Sequence, residues 1–153
     1  MGDFFAQLWQ NRVLLAAVAG WLIAQATKVV LVLILDRKFD VERFFGSGGM
    51  PSSHSATVCA LCSSAGMAYG IGSFEFAVSF VLAFIVMYDA CNVRLETGKQ
   101  AIAIKEMHEL LRRISEHPLS PQDTLKELVG HTFPQVIVGA VLGIAIGVGA
   151  MLL

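Results

Sequence analysis

The chain has 153 residues, 56% of them hydrophobic and only 15% charged, with a mean hydropathy of +0.67 and a net charge of −1. Soluble domains carry about a quarter charged residues, so this composition excludes an ordinary water-soluble globule and points to a membrane protein. Three cysteines, Cys59, Cys62 and Cys91, all lie in apolar segments, and the single C-x-x-C has no second pair, which argues for small buried residues over a zinc, redox or disulfide framework.

Residues 3–12 place Phe4, Phe5, Leu8 and Trp9 at helical spacing, an interfacial lead-in with Trp9 at headgroup level. No basic start followed by a cleavage site is present, so a removed signal peptide is not expected. Residues 13–35 are long enough to cross the hydrocarbon core, interrupted by Gln25 and Lys28 on one helical face. A lysine inside a span costs about 2.5–3.5 kcal/mol on insertion scales unless it is satisfied. Lys28 either snorkels or does chemistry, and its distance of two turns from the helix end favours the second.

A charged loop carrying Arg37, Lys38 and Arg43 leads into GSGGMPSSHSA, Gly46–Ala56. Glycines here, Gly49 among them, let backbone N–H groups approach an anion, and Ser52, Ser53 and Ser55 add donors. The bland alternative is a polar loop in which Ser52 or Ser53 caps a helix. Residues 55–72 form a second span rich in Ala, Ser, Gly and Cys, and Gly70, Gly72 and Ser73 make an uncharged turn. Residues 74–91 form a third span with Asp89 near its end and Arg94 just beyond. Residues 99–116 read as an amphipathic helix, with Ile102, Met107, Leu110, Leu111 and Ile114 against charged neighbours. The last span, residues 132–153, carries Gly139, Gly143 and Gly147 at four-residue intervals, a small-xxx-small face for tight helix contact within the chain or in a dimer.

The expected fold is therefore all-α: one membrane domain, residues 1–153, built as a helical bundle of about four transmembrane helices plus a cytoplasmic amphipathic helix. The loops after the first and third spans face the same side and hold nearly all the lysines and arginines, which places them, and the site, on the cytoplasmic side of a bacterial inner membrane or its equivalent, with both termini outside.

This topology draws distant residues to one membrane face. His54 begins the second span and His131 the fourth; Asp89 and Arg94 end the third; Lys28 and Arg43 flank the end of the first. Phosphoryl transfer needs positive charge and backbone donors around the phosphoryl oxygens, a nucleophile in line with the leaving group, and an acid to protonate that group. Two histidines can divide the last two tasks. No carboxylate cluster or His/Cys ligand spacing calls for a metal, and no cofactor and no nucleic-acid partner are expected.

The stretch GGMPSSHSA resembles the divergent branch of the type 2 phosphatidic acid phosphatases, a group related to acid phosphatases and vanadium-dependent haloperoxidases. Pro51-Ser52-Ser53-His54 is similar to the parent PSGH motif, with serine in place of glycine. His131, followed by Gln135, Val136, Gly139 and Gly143, is similar to the third motif, with Gln135 where the parent family has an aspartate. The segment Asp89-x-x-x-Val93-Arg94-x-x-x-Gly98-Lys99-Gln100-Ala101 and the Gln25-x-x-Lys28 pair also resemble the divergent branch.

The resemblance implies a two-step hydrolysis of a phosphorylated lipid: phosphatidic acid, phosphatidylglycerophosphate, or a prenyl phosphate or diphosphate. His131 is the implied nucleophile and His54 the implied general acid. Lys28, Arg43 and Ser52, with backbone N–H groups around Ser53 and Gly49, hold the phosphoryl oxygens. Leu35 and Leu125 stand where the parent family has arginines, so Arg43 or Arg94 is expected to substitute, and Asp89 to supply the carboxylate missing at Gln135. Parent enzymes usually have six spans, which makes a homodimer of this shorter chain an expectation. The competing reading is a non-catalytic protein that binds or moves an anionic lipid in the same pocket; a weaker one is a structural subunit whose polar residues lock helices together.

Overall fold

The computed structural model describes residues 2–36, 49–114 and 131–153. Those residues form helices only: α1 (Gly2–Gln10), α2 (Arg12–Asp36), α3 (Ser53–Tyr69), α4 (Phe74–Tyr88), a π-helical segment (Asp89–Val93), α5 (Arg94–Ile114) and α6 (Phe133–Leu152). Helix starts follow local capping chemistry. The Leu14 N–H donates to Asn11 Oδ1 at 3.0 Å, and the Phe76 N–H to Ser73 Oγ at 3.1 Å. Helix α3 ends at Gly70, whose φ of +89° suits glycine and whose N–H returns to the Gly66 carbonyl at 2.9 Å.

Helix α3 is the centre of the bundle, with α2, α4 and α6 around it. Its residues are small because backbones approach it from several sides. A Cβ on Gly20 of α2 would lie 2.9 Å from the Ala56 carbonyl oxygen. A Cβ on Gly139, Gly143 or Gly147 of α6 would collide with backbone or hydroxyl atoms of Ser52, Ala56, Ala60 or Ser63. The glycine face of the last helix is thus occupied within the chain, by α3. On the side of α4, Val58, Cys59 and Ala83 pack with Cys62, Val86 and Met87. Outward residues such as Leu22, Phe80, Phe84 and Val141 are large, apolar and exposed, the surface expected of helices facing lipid.

Two sequence expectations change. Among the described residues three helical stretches, 12–34, 74–111 and 133–152, are long and apolar enough to cross a membrane, where about four were expected. The expected span 55–72 is α3, which has 17 residues and reaches only about 25 Å at 1.5 Å per residue. The helix of the third span does not break after Cys91, although its apolar stretch gives way there to the amphipathic segment. It continues through the π segment, a one-residue slip in hydrogen-bond register, into α5, where a loop was expected.

Candidate functional site

Two helix N-termini meet at one end of α3. Ser52 caps α3: its Oγ receives the Ser55 N–H at 3.4 Å and the Ser55 hydroxyl at 3.1 Å. The Ser52 N–H in turn donates to the Gln135 carbonyl in the first turn of α6, at 3.0 Å. Gly139, one turn further along α6, lets Ser52 approach, and this close contact is what holds the two helix starts together. Gly49, exposed with φ +90°, turns the chain into this cap, a conformation few other residues adopt without strain. Partial positive charge at both helix starts favours an anion between them.

Lys28 reaches the same place from α2. It is only 4% exposed, and its Nζ donates to Ser53 Oγ at 3.2 Å. Its position eight residues before Asp36 puts it about 12 Å inside the end of α2, so it does not snorkel to water. Lys28→Met is expected to leave the bundle folded and at least as thermostable in detergent. A buried ammonium is costly, and an apolar side chain of similar volume removes that cost. The same variant is expected to bind vanadate or phosphate at least about tenfold more weakly, since a charge-assisted hydrogen bond is worth roughly 1.5–3 kcal/mol.

His54 and His131 come together with ring centroids 5.8 Å apart and planes inclined at 64°. His54 is half-buried in the first turn of α3, whereas His131 is 1% exposed just before the Thr132 cap of α6. The His131 backbone N–H donates to the Ala90 carbonyl at 3.1 Å. That carbonyl lies in the π segment, where the ordinary i→i−4 pattern is broken and a backbone acceptor can point sideways. The His131 ring faces Gln135, Nδ1 to Oε1, at 3.4 Å, and the Thr132 N–H donates to the same Oε1 at 3.0 Å.

The expected site residues are thus brought together in part. Lys28, Ser52, Ser53, His54 and His131 converge, and Gly49 forms the approach to the α3 cap. Asp89, half-buried, opens the π segment beside Ala90. Arg94 begins α5, and its side chain, like all of Arg43, lies outside the described residues. Sequence reasoning missed the Ala90 carbonyl, which no residue type signals. It also missed Ser55 and Gly139 as the clasp between helix starts. The Thr132-x-x-Gln135 spacing does carry a signal, that of a capping box. Among the described residues no group of three or more His, Cys, Asp or Glu side chains is placed to hold a metal ion.

Residues 9–146 match the Divergent PAP2 family. The chain belongs to that family. Its match spans Lys28, the Gly49–His54 turn, Asp89 and His131. This Divergent PAP2 chain is also 37% identical over 146 residues to the "Uncharacterized membrane protein YuiD" of Bacillus subtilis (strain 168), covering 90% of this chain and 92% of the relative. No solved structure matches it significantly. Family membership and the long apolar helices make this Divergent PAP2 chain a membrane protein.

Proposed function

We propose that this chain is a membrane phosphatase that hydrolyses a phosphorylated lipid through a phosphohistidine. The observation that carries the reading is the pairing of two histidine rings at 5.8 Å beside a buried lysine and two helix N-termini. His131 attacks phosphorus; the P–O bond to the leaving group breaks, and His54 delivers the proton that the leaving oxygen requires. A water, deprotonated by His54, then cleaves the P–N bond and releases phosphate. Lys28 and the N–H groups at the start of α3 neutralise the phosphoryl oxygens, with Arg43 or Arg94 as the further cation and Asp89 as the nearby carboxylate. A lipid substrate is supported by the position of His54 on α3. His54, Thr57 and Leu61 are half-buried and share one helix face. In a chain whose outward helix faces are apolar, a headgroup at His54 can keep its tail in the lipid.

In this reading α3 is a fourth, short crossing element shielded by its neighbours. The basic loops and the site face the cytoplasm by the positive-inside rule, with the termini outside. The purified protein, assayed with chelator in detergent, is expected to release phosphate from at least one of phosphatidic acid, phosphatidylglycerophosphate and prenyl phosphates or diphosphates. No release from any of them, together with tight binding of one, would overturn hydrolysis in favour of an anionic-lipid carrier. The uncharged Gln135 beside His131 is the observation that favours that second reading.

A further inference from the structure

We infer that Gln135 locks the His131 ring in its Nδ1–H tautomer, which makes Nε2 the basic, nucleophilic atom. The argument uses two contacts to one oxygen. A backbone N–H can only donate, so the Gln135 atom facing the Thr132 N–H at 3.0 Å is Oε1 and not the amide nitrogen. That same oxygen faces His131 Nδ1 at 3.4 Å, and a carbonyl oxygen has no proton to give. A hydrogen bond between them therefore requires the hydrogen on Nδ1, which leaves the lone pair of the neutral ring on Nε2.

Each partner in this contact is held independently. Gln135 sits in the first turn of α6, with its carbonyl engaged by Ser52. His131 is tied through its backbone to Ala90 and is almost fully buried. A rotation of the amide that turned its NH2 towards the ring would set two donors, that NH2 and the Thr132 N–H, against each other. The helix cap thus enforces the tautomer. Unlike a carboxylate, this amide orients the ring without stabilising the imidazolium, so it positions a neutral base. Gln135 is a positioning residue, and its consequence for hydrolysis rests on the function proposed above, whereas the tautomer itself does not.

The test is nitrogen-15 NMR of histidine-labelled full-length protein in detergent micelles, with the His131 signals assigned by their loss in His131→Asn. In the neutral state the wild type is expected to show a protonated, pyrrole-type Nδ1 and an unprotonated, pyridine-type Nε2. Gln135→Leu is expected to shift the ring towards the Nε2–H form, the commoner one for free histidine. Should that variant misfold, Gln135→Glu keeps an oxygen acceptor for both donors and is expected to retain the Nδ1 proton. A wild-type ring protonated at Nε2 alone, or a ring unchanged by Gln135→Leu, overturns the inference. With a hydrolysable lipid phosphate, Gln135→Leu is expected to reduce kcat roughly 10²-fold with little change in KM, the scale of a misplaced catalytic group. Gln135→Glu is expected to recover much of that loss, with the acid limb of its pH profile moved to higher pH because a carboxylate favours the imidazolium. An Nδ1–H ring in a protein that hydrolyses nothing would sink the phosphatase reading and leave this inference standing.

Discussion

His131→Ala is expected to abolish phosphate release from every substrate, by at least about 10³-fold, because in the mechanism proposed above it removes the atom to which the phosphoryl group is transferred. His54→Ala is expected to behave differently, and the leaving group decides by how much. An alkoxide leaving from a lipid glycerol or prenol is a strong base and must be protonated as the P–O bond breaks, so losing the acid costs about 10²–10⁴-fold. A nitrophenolate leaves without help, and for p-nitrophenyl phosphate the first step of His54→Ala should fall less than about tenfold. Rapid-quench measurement of the phosphoenzyme with both substrates separates these roles. His131→Ala should form none with either, and His54→Ala should form it readily only with the aryl phosphate. A phosphoenzyme persisting in His131→Ala would assign the nucleophile elsewhere. The two rings differ in setting: His131 is buried and held at Nδ1 and at its backbone N–H, whereas His54 is half-buried.

Gly143→Ala should be strongly destabilising, even though alanine is the better helix former. Its Cβ would fall on the Ala56 carbonyl oxygen and within 2.9 Å of the Ala56 Cα, both backbone atoms that cannot rotate away. Helices α3 and α6 would have to separate, at a cost of about 1–3 kcal/mol or more for overpacking. Gly149→Ala is the control. A Cβ there meets nothing within 4 Å, so helix propensity alone applies and the change is expected to be neutral or stabilising, by up to about 1 kcal/mol. Thermal unfolding of both variants in detergent, followed by circular dichroism, checks the contrast; equal midpoints would contradict the α3–α6 contact. Because Gly139 on the same face clasps Ser52, loosening this seam should also weaken vanadate binding at the site.

Segments and motifs could be read before any coordinates. Runs of apolar residues marked α2, α4 and α6, and the lone lysine in a span, the serine-rich cap and the two helix-start histidines marked the site. These are properties of one segment at a time: length against bilayer thickness, cap chemistry, and charge where charge is costly. The π segment was not legible, since a slip of one residue in hydrogen-bond register has no composition of its own, yet it presents the Ala90 carbonyl to His131. Nor was the status of α3. Its alanines, serines and glycine read as a fourth ordinary span, whereas they are small because Gly20, Gly143 and Gly147 bring neighbouring backbones against it.

The glycine–serine turn and the histidines thus belonged to the sequence by itself, as did a membrane setting for the chain. Tertiary structure decided that Lys28 meets Ser53, that α6 spends its glycines on α3, and that one amide oxygen of Gln135 serves both a helix cap and a histidine ring. The physical reason is that burial and capping are local or averaged quantities, written residue by residue. Which donor finds which acceptor across helices depends on close backbone approach between segments far apart in the chain, and only the assembled bundle sets that distance.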